Sequence, residues 1–257
     1  NKLIPEDPGV LLIQAQIDLI KENAKNYINK PVSSNDIVIM ETSHGRLKLE
    51  LYPEKAPNHC NNFKKLANSG FYDKTIFHRI IPGFMIQGGD ILTRDGNVDN
   101  DGTGNPGWTI DQEFNDIRHS RGILSMARSS DVNSAGSQFF ICVDQAWHLD
   151  LKYTAFGKVI ENDFVLDIIT KIPSESRQIL NNSKSKIPEG DLSENWFEYS
   201  FGGKKWFIKI PRLQTKEQFE IYVKKRLKNI HRTHVPGIIK KVRVVDSTTL
   251  NNDIKND

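Results

Sequence analysis

The sequence predicts a mainly β chain built as an antiparallel sheet or barrel. Three observations carry that expectation. Leu47, Leu49 and Leu51 alternate with Arg46, Lys48 and Glu50, the period of a strand with one buried face. Short apolar, β-branched and aromatic runs then recur, separated by Gly, Asn and Asp turns. Only two helical stretches lie among them, which argues against the strand–helix alternation of a parallel sheet. A barrel would remove the exposed edges of such a sheet.

The elements follow in order. Residues 1–34 form an extension in which Ile13, Ile17, Ile20, Ala24 and Tyr27 recur at steps of three and four after Pro5 and Pro8. That is one stripe of an amphipathic helix, closed by Pro31 and expected to pack on the main domain. Ile37 to Thr42 and Leu47 to Leu51 flank Ser43-His44-Gly45 and read as a β-hairpin. Pro57 suits the first turn of a helix, Cys60, Phe63 and Ala67 line one of its faces, and Gly70 ends it. Cys60 therefore reads as a small buried hydrophobe and not as a reactive thiol.

Strands are expected at Thr75–Ile81, Phe84–Gly88, Gly122–Ala127, Gln138–Val143 and Thr154–Val159, and a helix at Asn162–Ile172. Residues 173–235 break the rhythm with Pro, Ser and Asn, an aromatic stretch from Trp196 to Phe207, and a basic helical stretch from Lys216 to His231. Ile238–Val245 is again a strand. The expected organisation is the 1–34 extension, a β domain over 35–246 interrupted by an insertion at 173–235, and a polar tail over 247–257.

Composition narrows the function classes. No apolar run approaches the ~20 residues needed to cross a bilayer. Cys60 and Cys142 do not form a C-x-x-C pair, and the histidines lack zinc spacing, so a disulfide scaffold or a zinc module is not expected. Residues 1–203 carry 21 Lys and Arg against 27 Asp and Glu, whereas residues 204–243 carry 13 against 2. The basic segment is a candidate for binding nucleic acid or an acidic partner, weighed against a plain solvated helix face. The chain is expected to be soluble. Its start at Asn1 in place of Met gives a lean toward an exported, periplasmic or secretory protein.

Gly102, Gly104 and Gly107 match the G-x-G-x-x-G dinucleotide fingerprint, but polar turn sequence precedes them and Trp108-Thr109-Ile110 does not open a helix. They are expected instead to permit a tight surface loop. His231 and His234 lack a nearby carboxylate that would suggest a metal site, and no serine sits in a nucleophile elbow.

The informative stretch is Phe77-His78-Arg79-Ile80-Ile81-Pro82-Gly83-Phe84-Met85-Ile86-Gln87-Gly88-Gly89-Asp90. Taken alone, its arginine reads as a cation snorkelling at a sheet edge. Together with Gly122–Ala127, Ser137–Ile141, His148-Leu149-Asp150 and Phe156–Val159, in this order and spacing, it resembles the cyclophilin family. The resemblance runs from about Ile37 to Ile172 and resumes at Ile238–Val245.

The resemblance implies a closed eight-stranded antiparallel barrel capped by two helices and acting as a peptidyl-prolyl cis-trans isomerase and folding helper. The reaction it implies needs no cofactor or metal. It assigns Arg79 as the catalytic cation and Phe84, Met85, Phe140 and Leu149 as the pocket for the proline ring. Gln87 and Gln138 hold the substrate carbonyl and backbone, and Ala127, Arg128 and Ser129 contact the residues before the proline.

This chain departs from the common pattern at three of these positions. Arg128 replaces a residue that is commonly asparagine and pairs through its main chain, so it should be tolerated. An ungapped count from Phe140 reaches His148, where many eukaryotic members carry tryptophan, so weakened cyclosporin binding is expected. Tyr153 stands for a histidine at the pocket floor. Proline-containing peptides and unfolded proteins are the expected partners of a monomer. The alternative is a non-catalytic proline-peptide-binding module whose basic insertion docks a protein or nucleic-acid partner.

Overall fold

The period-two alternation sets the first strand pair in space. The structure is a computed structural model that describes residues 11–172, 179–201, 203–211, 214–227 and 237–248. In it β1 (Asp36–Thr42) and β2 (Gly45–Leu51) pair antiparallel, with Val38 opposite Leu49 and Met40 opposite Leu47. All four side chains are buried. Gly45 turns the chain at φ +137°, and a Cβ there would lie 2.7 Å from Val165 Cγ2, so only glycine fits without a shift.

The remaining strands are β3 (Thr75–Ile76), β4 (Arg79–Ile81), β5 (Met85–Gly88), β6 (Ile123–Met126), β7 (Phe139–Cys142), β8 (Ala155–Glu161), β9 (Trp196–Phe201), β10 (Lys204–Lys209) and β11 (Ile238–Asp246). Nine of them form one antiparallel sheet in the order β3-β11-β1-β2-β8-β6-β7-β5-β4, and β9 with β10 makes a separate hairpin.

The ladder corrects the expected closed eight-stranded barrel. The sheet is open by hydrogen bonding, because its two ends, β3 and β4, do not pair. The expected single strand 75–81 is split at Phe77-His78, where the chain changes partner: β3 pairs with β11 and β4 with β5. Phe77 is fully buried, and its N–H donates to Gly237 O at 3.0 Å. The two end strands are successive segments of one run, so chain continuity joins them where a ladder was expected.

Two helices back this sheet. α2 (Pro57–Asn68) starts at Pro57 and buries Cys60, Phe63, Leu66 and Ala67. Phe63 centres an aromatic cluster, with ring centroids 5.2 Å from Tyr72, 5.5 Å from Phe139 and 5.4 Å from Phe156. The Tyr72 hydroxyl is satisfied by donating to Ser137 O at 3.0 Å. Arg243 of β11 grips Asp73 with both terminal nitrogens, at 2.8 and 2.7 Å, and donates to Ala67 O, tying the last strand to the end of α2. α3 (Phe164–Thr170) buries Val165, Leu166 and Ile169. Burial pushes the Cys60 thiol up to about 12, and Cys60 sits in the apolar core as a small hydrophobe.

α1 (Gln14–Asn26) buries Ile17, Ile20 and Ala24 in the same core cluster as the strands, while Ile13 stands outside at its N-cap. Leu12 N–H donates to Arg94 O at 2.8 Å, and Lys65 Nζ to Lys25 O at 2.8 Å, which fixes both ends of the helix.

The described residues up to Ile172 and from Gly237 onward form one compact unit, and those between 173 and 235 form a second. The second unit has its own core: Phe197 and Ile208 of the β9–β10 hairpin meet Phe219, Val223 and Leu227 of α4 (Lys216–Leu227). The basic stretch beyond Leu227, with His231 and His234, lies outside the described residues. Among the described residues no helix is long and apolar enough to cross a membrane.

The burial of α1 yields a stability prediction. Ile17→Ala is expected to cost about 2–5 kcal/mol in urea unfolding, whereas Ile28→Ala, at a side chain 93% exposed, should stay within about 0.5 kcal/mol. Equal small effects would mean that α1 is not part of the core.

Candidate active site

Strand register builds the site. Ile80, Ile86, Ile141 and Leu124 are cross-strand partners in β4, β5, β7 and β6, and all belong to the main core. The neighbouring row is Arg79, Gln87, Phe140 and Ser125. Because side chains alternate across a sheet, one row faces the core and the other faces away from it. The outward face carries a second, smaller apolar cluster of Met85, Phe140, Cys142, Ala146, Leu149 and Ala155, with Phe84, Ala127 and Tyr153 packed against it.

Phe84, Met85, Ala127, Phe140, Leu149 and Tyr153 come together on this face. Pro82 and Gly83, with Gly83 at φ +74°, turn the chain between β4 and β5 and deliver Phe84 and Met85 beside Phe140. The short helical turn Trp147–Leu149 brings in Leu149, and His148 packs its ring 5.2 Å from Phe84. Trp147, by contrast, is half exposed beside Arg118. Tyr153 stands edge-on to Phe140 at 5.8 Å.

Polar groups form a continuous relay. Arg79 Nη1 donates to Gln87 Oε1 at 3.3 Å, Gln87 Nε2 donates to Gln138 Oε1 at 2.9 Å, and Gln138 Nε2 donates to the carbonyls of Gly102 and Gly104 at 3.0 and 2.8 Å. Burial pulls the Arg79 guanidinium below its ordinary value, while neighbouring Tyr153 pulls it back up. A guanidinium in this position stays charged at any working pH. Beside the relay lies a cavity of about 690 Å³ whose walls include Gln87, the 102–105 loop, Ala127, Arg128, Ser129 and Gln138.

The loop shows what the glycine motif is for. The Asp90 carboxylate is fully buried and accepts from the N–H groups of Leu92 (2.8 Å), Gly102 (2.5 Å) and Gly104 (3.1 Å). A Cβ on Gly104 would stand 1.8 Å from Asp90 Oδ1. The amides that a nucleotide phosphate would use in a fingerprint are thus taken by an internal carboxylate; Gly102 and Gly107 are exposed at positive φ, as a tight surface loop requires, while Gly104 is buried.

Sequence reasoning missed His119. Its ring is buried and stacked on Phe140 at 6.0 Å, with Nδ1 3.0 Å from Asp150 Oδ1 and Nε2 2.9 Å from Ser125 Oγ. A neutral ring donates from Nδ1 to the carboxylate, and Ser125 Oγ, which also lies 3.0 Å from Thr154 O, has a single proton for those two acceptors. It also missed Phe114, which lies under Arg128 with the guanidinium carbon 5.9 Å from the ring centre. Neither residue lies in a regular element, so periodicity carries no signal for them.

With this geometry in place, the cyclophilin-type peptidyl-prolyl cis-trans isomerase model matches residues 37–187, more than half of the chain. The chain belongs to the cyclophilin family. This cyclophilin is 43% identical over 139 residues to a peptidyl-prolyl cis-trans isomerase of Synechococcus elongatus, covering 54% of this chain and 90% of the relative. It is 43% identical over 143 residues to peptidyl-prolyl cis-trans isomerase-like 3 of Gallus gallus, covering 53% and 83%. A cyclophilin-type isomerase of Cryptosporidium parvum, solved in the presence of the dipeptide Ala-Pro, superposes with a TM-score of 0.50 at 34% identity, covering 68% of this chain and 96% of that one. The protein is a peptidyl-prolyl cis-trans isomerase, and these relatives favour catalysis over a non-catalytic binding module.

The buried histidines of this cyclophilin set an acid limit. Burial holds His119 and His59 below their ordinary value of 6.5, against the opposing pull of Asp150 and Glu113. In the unfolded chain both protonate as pH falls through about 6.5, while the folded protein keeps them neutral until lower pH. The unfolded state then binds more protons, and stability falls by up to about 1.4 kcal/mol per pH unit for each ring. Unfolding free energies measured between pH 7.5 and 5.5 should decline, and His119→Gln should flatten the slope. An unchanged slope would show that His119 binds protons alike in the folded and unfolded chain.

Proposed function

We propose that Arg79 is the group that accelerates rotation about Xaa-Pro bonds, acting on a proline ring held by Phe84, Met85, Phe140 and Leu149. The observation that carries this reading is a half-buried guanidinium, held by Gln87, at the rim of an apolar cluster. Amide resonance sets the barrier at ~18–20 kcal/mol. In the twisted state the prolyl nitrogen regains a lone pair, and a cation donating to it binds that state more strongly than the planar one. No covalent intermediate is needed.

The other groups position the substrate. Gln87 and Gln138, linked to each other, present amide groups to the substrate carbonyl and backbone. Ala127, Arg128 and Ser129 run beside the cavity and take the residues before the proline. His148 and Tyr153 shape the pocket walls through Phe84 and Phe140. The substrates on this reading are proline-containing segments of peptides and unfolded proteins.

Docking of nucleic acid or an acidic partner by residues 204–243 rests on charge alone. Part of that charge is compensated, since Lys205 pairs with Glu198, Lys209 with Asp191 and Lys224 with Glu220. The lean toward export finds no support in the structure or in the relatives.

Two measurements test the site. Arg79→Ala should lower kcat/KM on an Ala-Pro peptide about a thousandfold, equivalent to ~4 kcal/mol of transition-state stabilisation; an equal rate would remove Arg79 from catalysis. Cyclosporin should bind weakly because His148 lacks the indole donor, and His148→Trp should tighten it about tenfold, the worth of one added hydrogen bond. Nanomolar binding by the unaltered chain would contradict this.

A further inference from the structure

We propose that this cyclophilin selects substrates with an anionic side chain in the residues just before the proline, and that Arg128 makes the selection. The inference rests on the placement of Ala127–Ser129 along those residues. It goes beyond that placement by assigning a substrate chemistry.

Arg128 is immobilised without being neutralised. Its Nε and Nη2 donate to Lys152 O at 3.2 and 2.9 Å, and its Nη1 donates to Ser129 O at 2.8 Å and Ser130 O at 3.5 Å. The guanidinium carbon stands 4.6 Å above the Tyr153 ring and 5.9 Å from that of Phe114. All these partners are uncharged. A guanidinium has five N–H groups, so one Nη2 hydrogen remains unused after these four contacts.

Carboxylates near it in sequence or on neighbouring segments have other partners. Among the described residues Arg128 forms no ion pair, whereas Arg121 and Arg243 each grip a carboxylate. Asp131, in the same loop, turns back to accept the N–H of Asn133 at 2.9 Å. Glu113 is bound by the His59 ring at 2.7 Å, and Asp150 by His119 at 3.0 Å. Arg79, a second guanidinium next to Tyr153, also lacks a carboxylate partner among the described residues. Two guanidiniums thus flank Tyr153 with no carboxylate paired to either among the described residues, although residues 1–203 carry more acidic than basic groups.

Fixing the guanidinium in advance also lowers the side-chain entropy lost on binding. The adjoining cavity gives a side chain room to reach it, with Ser129, Ser134 and Gln138 on its walls. Carboxylates and phosphates both match the planar fork of an arginine. The anion can thus come from an acidic residue or from a phosphorylated one.

The test measures kcat/KM of the full chain on Ala-Xaa-Pro-Phe peptides in a protease-free assay, with Xaa as Glu, phosphoserine, Gln or Lys. Glu is expected to exceed Gln about three- to fivefold at 20 mM NaCl, Lys to fall below Gln, and the differences to vanish near 1 M NaCl. Phosphoserine above Glu would assign phosphorylated substrates, and Glu above phosphoserine would assign acidic ones. Arg128→Gln should bring the Glu-to-Gln ratio to one whatever it does to the rate itself, and Arg128→Lys should keep part of the preference. Equal rates for Glu and Gln in the unaltered chain, or a preference that survives Arg128→Gln, would overturn the proposal. An unchanged rate in Arg79→Ala with the preference intact would fault the catalytic assignment and leave this one standing.

Discussion

The site depends on one register. Arg79 lies opposite Gln87, and Gln87 opposite Phe140, so that a cation, an amide and an aromatic ring line up across three strands. The same pairing sends Ile80, Ile86 and Ile141 into the core. A slip of one residue would exchange the two rows, burying the arginine and exposing three isoleucines. The apolar row therefore enforces the polar one, and its packing energy fixes where the chemistry stands.

A second layer of constraint comes from the relay that starts at Arg79. It passes through two glutamines to backbone carbonyls of the 102–104 loop, and that loop is pinned from behind by Asp90. Each member has its amide or carboxylate oriented by the next, so the guanidinium is held by a chain of neutral acceptors that ends on a buried anion. Long flexible side chains would otherwise lose rotamer freedom when the transition state formed. Here that ordering is done by the fold.

Much of this was legible in the sequence. Leu47, Leu49 and Leu51 gave a clean strand because one face is buried and the other wet. Arg79, Phe84, Met85 and Gln87 could be placed together because Pro82-Gly83 punctuates two short strands. The remainder was hidden for physical reasons. Phe77 and His78 are no turn formers, so the change of strand partner there depends on where β11 lies, a strand more than 150 residues downstream. His119 and Phe114 sit in irregular backbone, and tertiary contacts alone make them part of the site. The purpose of Gly104 was invisible because the group that requires it, Asp90, is 14 residues away.

β11 lies between β1 and β3 in the sheet, yet it comes after the whole second unit. As the polypeptide leaves the ribosome, β3 must wait for some 160 more residues, and β1 for some 195, before their missing neighbour exists. Until then the nascent chain displays open backbone edges that invite pairing with other chains. Completion of the sheet is thus coupled to the emergence of β11, and a message truncated inside the second unit would yield a product with a gap where the longest strand belongs.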